Sequence, residues 1–150
     1  MYPAIDWNQV WQETLQENLQ ARGTGRCSTY WDGAGRAEEY LRFSREEGAE
    51  RVSLMLEAFD INEGSRILDI GAGPGTLTIP LSSRVSHITA IEPAAPMVAL
   101  LREEIRKTDV SNVSVIERHW EDITLDELAP PYDIVIAAYS LGMVDLKGAI

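Results

Sequence analysis

Residues 68–81 read LDIGAGPGTLTIPL, where Gly71, Gly73 and Gly75 alternate directly after a short apolar run that carries one carboxylate, Asp69. Glycine takes backbone angles barred to residues with a Cβ, and it lets a ligand lie against bare main chain. A helix beginning beyond Gly75 would add free N–H groups and a partial positive charge at the same place. A strand, a glycine-rich turn and a helix make the nucleotide-cofactor crevice of an open parallel sheet. The spacing here is G-x-G-x-G with Thr76 in the sixth position, whereas dinucleotide sites use G-x-G-x-x-G. Asp69, at the carboxyl end of its strand, would repel phosphates and attract an ammonium or sulfonium group. Both features point away from a pyrophosphate.

A second acid, Glu92, ends the next apolar run, 19 residues after Gly73. A carboxylate at that place can accept hydrogen bonds from two ribose hydroxyls. Met97, five residues further on, offers an apolar side chain to a purine face. These residues need strands and helices to hold them. RILDI (66–70), HITAI (87–91), VSVIE (113–117) and DIVIAA (133–138) read as strands. Residues 76–83 read as a helix start, and 94–107 as a helix with Met97, Leu100, Leu101 and Ile105 inward. Such alternation predicts a parallel sheet covered on both faces.

The upstream part has a different texture. Residues 6–21 put Trp7, Val10, Trp11, Leu15 and Leu19 on one helical face, a packing stripe with Asp6 as N-cap. Residues 22–35 form a glycine-rich loop holding Tyr30 and Trp31, aromatics that would fold over a bound molecule or anchor the loop. A charged helix follows over 36–59, interrupted near Gly48, with Val52, Met55, Leu56 and Phe59 on one side. The expected organisation is an N-terminal helical cap over 1–60 and a cofactor-binding part over 61–150. The ending at KGAI, after four strands with one outer strand bare, suggests a fragment of a longer protein or residues beyond Ile150.

With these pieces in order, segment 67–145 resembles the cofactor half of a class I S-adenosylmethionine-dependent methyltransferase. ILDIGAGPGTLTIPL is similar to the family's first motif, ITAIEPAAPM to its acidic-strand motif, and YDIVIAAYSLGMVD to its fourth-strand motif. The resemblance implies a Rossmann-like parallel sheet with flanking helices, preceded here by the helical segment. The family fold has seven strands, so this sequence would supply the first four and lack the last three. S-adenosyl-L-methionine is the implied cofactor. By the same resemblance Asp69, Gly71 and Gly73 line its amino-acid end and Glu92 holds the ribose, with Ala72, Gly75 and Pro93 in the same cofactor-binding set. Met97 packs beside the adenine, and backbone near Ala137 faces the methionine portion. One departure lies after the third strand, where the family often has Gly-Asp-Ala. Here Arg118-His119-Trp120 stand ahead of Glu121-Asp122, which puts His119 and Trp120 beside the adenine. Tyr139 and Ser140 occupy positions that often face the acceptor, and Tyr30 and Trp31 could line it too. No Asn-Pro-Pro-Tyr type tetrad follows the fourth strand; AAYS stands there, which turns the reading away from amino groups of DNA.

Bulk composition narrows the setting. The net charge is −11, with 13 basic and 24 acidic side chains and no basic stripe. Charge therefore makes nucleic acid an unlikely acceptor and favours a small molecule or a protein. No apolar run is long enough to span a membrane, and the start shows no secretory signal. The one cysteine, Cys27, reads as a free thiol in a reducing cytoplasm, and no metal-ligand cluster is evident. Two other functions compete. A nicotinamide-dependent oxidoreductase shares the ribose device of Glu92 but not the glycine spacing or Asp69. A non-catalytic partner subunit would have no need of intact Gly71, Gly73, Glu92 and Met97.

Overall fold

A computed structural model describes residues 6, 9, 10, 13, 14, 16, 17, 30–33, 35–129 and 131–140. The expectations for Trp7, Trp11, Leu15, Leu19, Cys27 and most of the loop over 22–35 lie outside these residues. Within the first helical pattern, Asp6 does cap: its Oδ1 accepts from the Gln9 amide at 3.3 Å.

Helix α1 (Arg36–Ala58) leads into strand β1 (Arg66–Ile70), one-turn helix α2 (Thr78–Ser82), strand β2 (His87–Ile91) and helix α3 (Ala95–Lys107). Strand β3 (Val113–Ile116), two 3-10 turns (Trp120–Asp122 and Leu125–Glu127) and strand β4 (Ile134–Ile136) follow. The sheet is wholly parallel in the order β3-β2-β1-β4. Placing β1 at the centre puts the reversal of strand order between β1 and β4, the crevice where open α/β sheets bind ligands.

Strand alternation sorts the core. Ile67, Ile88 and Ile136 face one side and pack with Val52 of α1 and with Leu77 and Leu81 around α2. Ala90 on that side packs with Ala72 and Leu101 of α3. Leu68, Ile70 and Ile91 face the other side, where Trp120, Ile123, Leu128 and Tyr132 cover them. Helices α1, α2 and α3 thus lie on one face, and the opposite face is covered by the connection carrying the 3-10 turns. The expectation of two covered faces holds with helices on one and turns on the other. Val135 on β4 stays 59 % exposed.

The expected interruption at Gly48 does not occur. Helix α1 runs unbroken for 23 residues, and Gly48 packs against Thr76 of the glycine turn. A Cβ there would stand 2.5 Å from Thr76 Cγ2 and 2.7 Å from the Thr76 carbonyl oxygen. Beside it, the hydroxyls of Ser44 and Thr76 share a hydrogen bond of 2.8 Å, and Arg45 reaches Glu104 of α3 at 2.9 Å. Helix propensity counts glycine as a breaker; packing uses its missing side chain instead. Phe59, expected inward, is exposed because the helix ends at Ala58 and the chain turns extended there.

Candidate functional site

The segment after β1 folds back over the end of β2. The amides of Gly71 and Ala72 both donate to the Ile91 carbonyl, at 2.8 and 2.9 Å, and the Gly75 amide closes a turn on Ala72 O at 3.1 Å. Gly71, Gly73 and Gly75 all have positive φ, at 75°, 57° and 90°, a region costly for residues with a Cβ. Their surroundings differ. A Cβ on Gly75 would strike Leu101 of α3 at 2.6 Å, so this glycine lets the turn settle on the helix. A Cβ on Gly73 would meet nothing within 4 Å, so this glycine presents bare backbone to open space. Helix α2 has only five residues, too short to sum much macrodipole. The partial charge expected beyond Gly75 is correspondingly small.

Asp69 and Glu92 share a face. Asp69 is in register with Ala90 on β2, and Glu92, two residues after Ala90, has the same parity. Asp69 is 3 % exposed, and its Oδ2 accepts from the Thr78 hydroxyl at 2.6 Å. Burial pushes its carboxyl up to about 6, against the pull of that hydrogen bond and with a further push from Glu92. Glu92 is also buried, with Oε1 accepting from the Ala94 amide at 2.8 Å and Oε2 from the Gly73 amide at 2.9 Å. Burial raises its pKa; the two amides and then the charge of His119 pull it back. Glu92 thus pins the middle glycine to the end of β2. A carboxylate offers about four lone-pair sites, so two hydroxyls can still be accepted.

A shallow cleft opens to solvent beside these groups. Asp69, Gly71, Ala72, Gly73, Thr76 and Leu77 form its floor. Tyr40 and Arg51 of α1 and Ala138 and Tyr139 after β4 form its walls. Tyr139 has a positive φ of 59° and is 78 % exposed. The Ser140 hydroxyl donates to the Ile70 carbonyl at 2.5 Å and lies against Gly71, where a Cβ would collide with it.

The remaining sequence candidates sit around this cleft rather than in it. Met97 is 2 % exposed and packs with Ala37 and Ala94, with Trp31 and Tyr40 against the same cluster. Tyr30 and Trp31 meet edge to face at 5.1 Å, as do Trp31 and Tyr40 at 5.2 Å. Trp120 and Ala137 lie against the cluster on the other side of the sheet. His119 precedes the first 3-10 turn, near enough to act on Glu92, and Pro93 lies between Glu92 and Ala94. Tyr40 and Arg51 escaped the sequence reading. Their signal is the spacing Tyr40, Ser44, Gly48, Arg51: one helical face with two small residues between two large ones. Among the described residues, no group of His, Cys, Asp and Glu could hold a metal ion, and no helix is long and apolar enough to cross a membrane.

Comparison with known proteins fits this geometry. The chain is 33 % identical over 87 residues to a probable ribosomal RNA small subunit methyltransferase A of Methanosphaera stadtmanae, a match over 58 % of this chain and 31 % of that one. It is 29 % identical over 121 residues to the malonyl-[acyl-carrier protein] O-methyltransferase of Bacillus cereus, over 79 % of this chain and 40 % of that one. A solved structure of a putative S-adenosyl-L-methionine-dependent methyltransferase from Methanococcus maripaludis superposes with a TM-score of 0.66 at 20 % identity, over 79 % of this chain and 55 % of that one. The chain spans roughly a third of the first relative's length and two fifths of the second's. The first match corrects the expectation that nucleic acid is an unlikely acceptor. The net charge of a stretch that matches about a third of that relative does not exclude a nucleic-acid acceptor. The family model described as a methyltransferase domain matches residues 67–149, more than half of the sequence and all four strands with the glycine turn. The chain belongs to that methyltransferase-domain family, the S-adenosylmethionine-dependent class I enzymes with a Rossmann-like sheet.

Proposed function

We propose that the protein transfers a methyl group from S-adenosylmethionine to an acceptor, and that the cleft beneath α1 holds the donor. The observation that carries this reading is the open backbone at Gly73 set between two buried carboxylates on one face. These residues fit the donor: anionic groups for its ammonium and hydroxyls, and bare main chain for close approach. S-adenosylmethionine supplies a methyl group activated by a positive sulfur. The protein's part is to orient the donor and acceptor and to keep water away.

In this reading Asp69, Gly71, Ala72, Gly73 and Gly75 receive the amino-acid end, and Glu92 with Pro93 the ribose. Met97, His119 and Trp120 border the adenine, and Ala137 the methionine portion. Tyr30, Trp31, Tyr139 and Ser140 face the acceptor side. Residues 1–60 act as a cap, with α1 as its described roof over a cofactor-binding part from residue 61. Relatives named for ribosomal RNA and for an acyl-carrier protein support an acceptor set by residues outside the glycine turn. A cytoplasmic setting belongs to the same proposal and rests on Cys27, which has no second cysteine to pair with.

Thermal unfolding with S-adenosylhomocysteine, NAD and NADP tests the reading. A ligand at about 100 times its Kd adds about 2.7 kcal/mol, or roughly 5–10 °C for a domain of this size. S-adenosylhomocysteine should give that shift and the nicotinamide cofactors none. The reverse pattern would overturn the proposal.

A further inference from the structure

We infer that Arg51 of α1 binds the α-carboxylate of the donor's amino-acid end, an assignment that rests on the donor reading above. That end carries an ammonium and a carboxylate. Asp69 matches the first and is repelled by the second. Arg51 is the one cation among the described residues lining the cleft. A carboxylate brought beside Asp69 with no cation nearby would be costly.

The guanidinium is held over the cleft from two sides. Its Nη2 donates to Glu47 Oε2 at 2.7 Å, and its carbon lies 4.9 Å from the centre of the Tyr139 ring. The contact with Tyr139 spans from α1 to the residues after β4, and both side chains line the cleft. The Glu47 contact is a weak competitor. It is an i,i+4 pair with the glutamate side chain 45 % exposed, a class worth little in water. It also uses one of the five N–H donors of arginine, leaving others for a second carboxylate. Gly48 and Ser44 bring this part of α1 down onto the glycine turn, which puts the charge within reach of the floor.

Calorimetric titration of the full-length protein with S-adenosylhomocysteine and with 5′-methylthioadenosine tests this. The second ligand keeps the nucleoside and thioether but has a methyl group where the amino-acid chain was. Arg51→Ala should weaken S-adenosylhomocysteine by roughly ten- to a hundredfold, the loss of a charge-assisted hydrogen bond, and leave 5′-methylthioadenosine within about twofold. Glu47→Gln, an exposed change that spares the fold, should tighten S-adenosylhomocysteine by about two- to threefold by removing the competing carboxylate. Equal losses for both ligands in Arg51→Ala, or no loss for either, would overturn the inference while the donor reading stood. A wild-type protein that bound neither ligand would overturn both.

Discussion

Asp69 is both the proposed partner of the donor's ammonium and a charge the fold resists. Its carboxyl titrates at about 6 in the folded chain against a reference of 3.8. Between those values the folded chain keeps a proton that the unfolded chain has released. Its contribution therefore favours folding below the window and is lost as pH rises through it, by on the order of 3 kcal/mol. Asp69→Asn removes this dependence. In urea titrations the variant should match the wild type near pH 4 and exceed it at pH 7; equal midpoints at pH 7 would contradict the assignment. Ligand binding should move the other way. Ionised Asp69 is the form that holds an ammonium, so affinity for S-adenosylhomocysteine should rise with pH through about 6. Glu92→Ala removes the acceptor of the Gly73 and Ala94 amides as well as the proposed ribose partner, and should weaken binding at least about tenfold by calorimetry. Unchanged affinity would remove Glu92 from the site. Asp69 and Glu92 were legible in the sequence as acids at strand ends; their common face was not, because it depends on the register of β1 against β2. The two amides on Glu92 were not, because they exist only once the turn folds back on β2. Arg51 was hidden for the same reason: its chemistry depends on which element lies beneath it.

At the scale of elements, the strands and α3 followed from apolar runs and helical periodicity, with bounds that differ by a residue or two. Helix α1 was legible as a helix and misread as broken, since Gly48 weakens a helix in isolation and here permits a contact. Gly48→Ala sets the two effects against each other. Alanine gains up to about 1 kcal/mol of helix propensity, but its Cβ would press on the Thr76 carbonyl, where backbone has little room to yield. Overpacking costs about 1–3 kcal/mol, so the variant should be less stable by urea titration and bind S-adenosylhomocysteine more weakly. A more stable variant would mean that α1 does not rest on the turn. The placement of α1, α2 and α3 on one face was not legible, because the apolar runs of buried strands leave both sides equally apolar.

For the whole molecule, the charge of −11 argues about the surface of this stretch and not about the acceptor. The resemblance to a probable ribosomal RNA methyltransferase, over 58 % of this chain and 31 % of that one, means that this charge does not exclude a nucleic-acid acceptor. The central claim is accordingly about the donor, and a crystal structure of the protein with S-adenosylhomocysteine tests it most directly. The account predicts density for the nucleoside beside Glu92 and for the amino-acid end over Gly73, between Asp69 and α1. Density at any other place, or a fully occupied ligand that leaves the Gly73 backbone uncovered, would contradict it.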